Sequence, residues 1–215
     1  MKKFLFLLSS CVLIFASCKK SSSTNSPADF LILTTGSNFT YQNTSGSAVS
    51  TFKLTVKGTD STINNKPYKI LTNSNGPNNY WFKSGTDYYR YGVFAGLAAA
   101  GGIEELYVKD AASNTVWTNI VPITYMGTPL NITAGYKITE IDISKTVATK
   151  VYTGVTHVVL TLNTTFSGFP ISLGGGDFYY ARGVGLINYN ISVGNTTLGI
   201  ATTAQNSDLI SYEIK

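Results

Sequence analysis

The sequence predicts an all-β protein: an antiparallel, strongly curved sheet, half-barrel or sandwich built from two repeat halves. Three observations lead there. After Ala28, apolar and polar residues alternate with period two along much of the chain, as half-buried strands require. Clusters of Gly, Asn, Asp and Pro punctuate that alternation at short intervals, as expected of hairpin connections. The composition also suits strands. Among 215 residues there are 14 Tyr and 20 Gly, with aromatics at 13% and charged residues at only 13%. Blocks rich in Ala, Glu and Lys that would favour helices are nearly absent. This balance excludes a helical bundle, a coiled coil and a disordered tail protein. The net charge of +5 is scattered rather than gathered on one segment, which argues against a nucleic-acid partner.

The elements begin with an address. Lys2 and Lys3 precede an apolar run from Phe4 to Ala16. The run is too short to span a bilayer, which takes roughly 20 apolar residues, and reads as a signal peptide over residues 1–17. It ends Phe15-Ala16-Ser17-Cys18, which resembles the lipobox of bacterial lipoproteins, with Phe15 where that family prefers Leu. The resemblance implies that the Cys18 thiol takes a diacylglycerol, that the signal is cut before it, and that the new amine is acylated by a chain such as palmitate. Both cysteines, Cys11 and Cys18, lie in this segment, so the mature domain has no disulfide and lipidation accounts for Cys18. Residues 18–28 are small and polar and end in Pro27-Ala28, a flexible tether. No acidic run follows Cys18. The expected location is therefore the cell envelope, anchored through Cys18 to the outer membrane and facing the periplasm.

Residues 29–215 form a single expected domain. Phe52, Leu54 and Val56 alternate with Lys53, Thr55 and Lys57, and Tyr68 and Ile70 follow the turn-like Asn64-Asn65-Lys66-Pro67. Ile210, Tyr212 and Ile214 alternate near the end. Turns are expected at Gly58-Thr59-Asp60, Asn73 to Pro77, Ser84-Gly85, Gly127-Thr128-Pro129, Gly174 to Asp177 and Gly194-Asn195. The Gly96–Gly102 stretch reads as a mobile loop. Phe52-Lys53-Leu54-Thr55 is echoed by Tyr136-Lys137-Ile138-Thr139, Thr62-Ile63 by Thr146-Val147, and Lys66 and Tyr68 by Lys150 and Tyr152. This register suggests pseudo-repeats over about 37–95 and 125–195.

Four patches resemble a loosely defined group of uncharacterised, β-rich periplasmic lipoproteins. They are Gly36-Ser37-Asn38-Phe39-Thr40-Tyr41, Lys66-Pro67-Tyr68, the hairpin Tyr179-Tyr180-Ala181-Arg182-Gly183-Val184-Gly185-Leu186, and the closing Leu209-Ile210-Ser211-Tyr212. The resemblance implies a curved antiparallel sheet or half-barrel and no established activity.

Catalytic and metal chemistry find little footing. His157 is the one histidine, in Val155-Thr156-His157-Val158-Val159-Leu160, and reads as a structural residue on a central strand with two apolar faces. There is no Gly-x-Ser-x-Gly and no cysteine in the mature domain to act as nucleophile. One His without Cys does not make a zinc site, and no segment has the oxygen spacing of a calcium loop. Glu104 and Glu105 are adjacent and point to opposite faces of a strand; Glu140 and Asp142 share one. These carboxylates read as solvated edge charges, and Asp60, Asp87, Asp110 and Asp177 as turn residues. Gly174-Gly175-Gly176 and Gly183-Val184-Gly185 lack the flanking residues of phosphate or dinucleotide sites and read as turns or close backbone approaches.

Aromatics remain. Tyr80-Trp81-Phe82, Tyr88-Tyr89-Arg90-Tyr91 and Phe178-Tyr179-Tyr180 place rings on both faces of a sheet. A curved sheet bent at Gly183 and Gly185 would leave a trough, with Gly96–Gly102 and Phe169–Gly176 over one mouth. The expected ligand contacts are Trp81, Tyr89, Phe169 and Tyr180, not His157, with no cofactor. The expected function is non-enzymatic binding of an apolar ligand, a glycan or an envelope protein. The alternatives are a structural or assembly lipoprotein and an envelope hydrolase.

Overall fold

Period-two alternation is realised as twelve strands in the computed structural model, which describes residues 29–94, 102–125 and 127–215. In chain order they are β1 (Asn38–Ser45), β2 (Ala48–Ile63), β3 (Lys66–Asn73), β4 (Asn79–Ser84), β5 (Asp87–Val93), β6 (Gly102–Lys109), β7 (Val116–Tyr125), β8 (Thr128–Val147), β9 (Lys150–Phe166), β10 (Phe169–Ala181), β11 (Gly185–Asn195) and β12 (Ile200–Glu213). The signal segment, Cys18 and the tether lie outside the described residues, as do residues 96–101 of the expected Gly96–Gly102 loop.

Every pairing is antiparallel. The order is β6-β5-β4-β3-β2-β1-β12-β11-β10-β9-β8-β7. Consecutive strands pair, except β6 with β7, and β1 pairs with β12. Of the alternatives the sequence left open, the chain therefore adopts one sheet, curled into a nearly closed barrel, rather than a sandwich. Its two free edges, β6 and β7, are consecutive in the chain.

Side chains bridge that seam where no backbone ladder runs. The Asn119 amide accepts from Leu106 N at 3.0 Å and donates back to Leu106 O at 3.0 Å, imitating a paired strand residue. Trp117 Nε1 donates to the same carbonyl at 2.8 Å. Pro122 in β7 sits in an edge strand, where a missing N–H is tolerated.

The two faces differ. Trp81, Tyr107, Tyr136, Leu160, Phe178, Tyr180 and Ile191 are buried inside. The outer face carries charge, including Lys66 against Glu104 at 2.5 Å and His157 between Glu140 and Asp177.

Several expected turns lie within strands. Gly58-Thr59-Asp60 falls in β2, at a shift of register between Val56 and Asp60. Gly174-Gly175-Gly176 falls in β10, so Phe169–Gly176 is a strand and not a cover for the mouth. The glycines are required there for close approach: a Cβ at Gly174, Gly175 or Gly176 would stand 2.2, 2.1 or 2.2 Å from the carbonyl oxygens of Ser192, Leu160 and Asn190. Gly183 lies in the turn joining β10 to β11 and Gly185 opens β11, with φ of 73° and 115°. They turn a hairpin rather than bend a strand. The expected turn aspartates are bound to side chains instead: Asp60 pairs with Lys69, Asp87 with Lys109 and Asp110 with Arg182, and Asp177 is hydrogen-bonded to His157.

Asn119→Ala removes both bonds to Leu106 and leaves a strand N–H without its acceptor, at a cost of about 1–3 kcal/mol. Amide exchange at Leu106 should speed up and the melting temperature should fall. Unchanged exchange at Leu106 would mean that the seam is not held there.

Candidate ligand cavity in the barrel lumen

One end of the barrel is stoppered by the chain itself. The segment entering β1 carries Phe30, which is buried against Tyr88 (6.3 Å) and Tyr180 (6.3 Å). The Arg182 guanidinium lies 4.4 Å from its ring centroid. Backbone and side chains fasten this plug: Gly183 N donates to Asp29 O at 2.8 Å, and Lys83 Nζ donates to Asp29 Oδ1 at 2.5 Å. Arg182 also clasps Asp110 through two bonds of 2.8 and 2.6 Å. That clasp, outweighing partial burial, holds the Asp110 carboxyl below its ordinary range.

A column of ring contacts rises from the plug. Phe30 meets Tyr180, Tyr180 meets Tyr107 at 5.9 Å, and Tyr107 meets the edge of Trp81 at 4.9 Å. Such edge-on aromatic pairs are favourable beyond their area. Above and beside the column is a cavity of about 360 Å³, at the low end of the roughly 300–1,000 Å³ typical of small-molecule sites. Phe39, Tyr41, Phe52, Leu54, Leu71, Phe178 and Tyr189 form its walls. Asn43, Ser50, Asn73, Asn75 and Asn79, all on or beside β1 to β4 at the end opposite the plug, give it a polar border. The result is a cup with an aromatic interior, closed where the chain enters.

One ion pair is set into that interior. Arg90 and Glu105 are register partners on β5 and β6, and Arg90 Nε donates to Glu105 Oε1 at 2.5 Å. Glu105 is 2% exposed. Its other oxygen accepts from Tyr136 OH at 3.3 Å, and the Arg90 guanidinium lies 5.0 Å from the Tyr107 ring centroid. Burial opposes the Arg90 charge, but Glu105 more than offsets it and holds the guanidinium protonated above its ordinary range. Burial also pushes the phenols of Tyr41, Tyr107, Tyr136 and Tyr180 up, which keeps them neutral. Trp81 Nε1 and Asn43 Oδ1 are buried without a hydrogen-bond partner among the described residues.

Of the four residues expected to meet a ligand, Trp81 and Tyr180 line this cavity. Tyr89 does not. It faces outward in a cluster with its register partner Phe82 and the Lys66 ammonium, because the adjacent register pair, Trp81 and Arg90, takes the inward parity. Phe169 opens β10 beside the β9–β10 turn, 71% exposed, away from the lumen.

The carboxylates also divide differently. Glu104 and Glu105 do face opposite ways, but neither is a free edge charge. Glu104 accepts from Lys66 and, at 2.6 Å, from Tyr68 OH outside, and Glu105 is buried inside. The signal for this pair was Arg90 at inward parity in an aromatic strand.

His157 lies on the outer face of β9, whose neighbours are polar rather than apolar. It stacks on Tyr179 at 4.3 Å and is bonded to Glu140 (3.0 Å) and Asp177 (2.7 Å). The two carboxylates meet opposite ring nitrogens, so they do not converge on one metal position. Asp142, at φ 56°, breaks the alternation that would have put it on one face with Glu140.

No family model and no curated protein matches this chain. Its fold is shared with a crystal structure from Parabacteroides distasonis, a protein described as a "putative lipoprotein". That match covers 87% of this chain and 100% of the other, with a TM-score of 0.52 and 12% sequence identity. At that identity the likeness is one of fold.

Proposed function

We propose that this protein is a lipid-anchored protein of the bacterial cell envelope that holds an apolar ligand in its barrel lumen without transforming it. The observation that carries the reading is the 360 Å³ cavity, walled by aromatics, stoppered by the chain's own Phe30 segment and bordered by amides at the other end. Rings that bury a ligand's apolar surface supply affinity, and a few polar groups at the border set its orientation. The lumen's charged groups are already engaged with each other, which suits holding rather than chemistry.

Attachment rests on the Phe15-Ala16-Ser17-Cys18 pattern. A barrel that is apolar inside and charged outside has the opposite polarity to one that faces lipid with its strands, and no helix among the described residues is long and apolar enough to cross a membrane. The lipid on Cys18 then supplies the membrane partner, and the described chain begins at the plugged end, with Asp29. The outer membrane, periplasmic side, is the compartment we assign.

Two measurements test the two halves of this reading. In cells, Cys18→Ser should move the protein from the detergent phase to the aqueous phase on phase partition; an unchanged partition removes the lipid anchor. In the soluble domain, Trp117→Phe leaves Trp81 as the sole indole, since the chain has two Trp. Titration with a long-chain hydrophobic probe should then change Trp81 fluorescence saturably, with one site. A linear, unsaturable response would favour a structural or assembly role with no ligand.

A further inference from the structure

The lumen's electrostatics select among apolar ligands, an inference that rests on the reading of the cavity as a binding site. An aromatic chamber that contains a lone arginine would attract an amphiphile with a carboxylate head, because a buried guanidinium needs an anionic partner. Here the protein supplies that partner itself. Glu105, on the adjacent strand and 2% exposed, meets Arg90 Nε at 2.5 Å and receives the Tyr136 hydroxyl on its second oxygen. Both residues line the cavity. The remaining polar groups around them are phenols and one indole, which carry no charge. Arg90 Nη2 has only a long contact of 3.5 Å to Val93 O.

We infer that the lumen is built for an uncharged amphiphile, such as a long-chain alcohol, and rejects its anionic counterpart because Glu105 fills the place that a ligand carboxylate would take. A second carboxylate brought beside Glu105 would face like-charge repulsion in a low-dielectric space while losing its own hydration. A hydroxyl has a much smaller hydration loss and finds aromatic walls and an uncharged polar border of Ser50, Asn73, Asn75 and Asn79. Specificity of this kind comes from an element that repels the competitor rather than from a new attraction. The same logic predicts its reversal. Glu105→Gln keeps the shape, with its amide oxygen still able to accept from Arg90 and its amide N–H able to donate to the Tyr136 hydroxyl oxygen, but it frees the Arg90 charge, so the carboxylate should become a welcome guest.

The test uses the mature domain with the hydrophobic probe bound, displaced by decanol or by decanoate below its micellar range at pH 8. In the parent protein decanol should compete at least about tenfold more effectively than decanoate, a difference of about 1.4 kcal/mol. In Glu105→Gln decanoate should improve by about tenfold or more, with decanol affinity little changed, and retained decanol binding shows that the variant is folded. Equal or tighter binding of decanoate by the parent overturns the inference while leaving the cavity as a binding site. So does a folded Glu105→Gln variant that still rejects decanoate to the same degree. If neither compound displaces the probe, or the probe does not bind the parent, the binding reading itself fails and the inference with it. The comparison in the parent stands alone should the variant not fold.

Discussion

A barrel's strand number fixes the space it must fill. About eight strands leave room that side chains fill or that holds one small ligand, whereas about 16–18 leave an aqueous channel. Twelve strands joined as a simple meander fall between those limits. The chain meets that constraint with bulk: Trp81, Tyr107, Tyr136, Phe178 and Tyr180 point inward, and the segment around Phe30 folds across one end. Even so, about 360 Å³ is left over. The high aromatic content, the plug and the cavity all follow from this one geometric fact.

Closure imposes its own demands. A twelve-stranded meander without a twelfth ladder would expose two edges, which are hazards for pairing with other chains. Here the edges are covered by each other, and the Asn119 amide substitutes for a backbone partner at Leu106. Three strands from the β7 edge, β10 is squeezed between β9 and β11 until only glycine fits, and Leu173, fully buried, occupies the extra position where the register shifts. The Arg90–Glu105 pair sits in the interior so created. A buried ion pair is weak evidence for stability, and the proposed selection between ligands would give it a role in the lumen.

Fold class was legible because alternation is a local property: Phe52, Leu54 and Val56 declare a strand whatever surrounds them. The Asn64-Asn65 turn was legible for the same reason, since both residues take positive φ (51° and 60°) in a tight hairpin. What could not be read locally depends on register. Gly174 to Gly176 look like a turn until neighbouring strands press on them. Tyr89 and Trp81 look alike as strand aromatics, and only pairing with Arg90 decides which faces in. Closure itself depends on residues far apart in sequence, such as Leu106 with Asn119 and Asn38 with Glu213, and no period reveals them. The Arg90–Glu105 pair lay half in view, as charges within an apolar pattern, but its partner choice required the β5–β6 register.

The central claim is that the twelve-stranded interior keeps an open, apolar space above the Phe30 plug. A high-resolution crystal structure of the mature protein purified from its native envelope, with no ligand added, tests it most directly. The account predicts elongated non-protein density beside Trp81, Tyr107 and Phe178, within reach of the Asn-lined border. Those same rings collapsed together, leaving the lumen packed with side chains and no density between them, would contradict it.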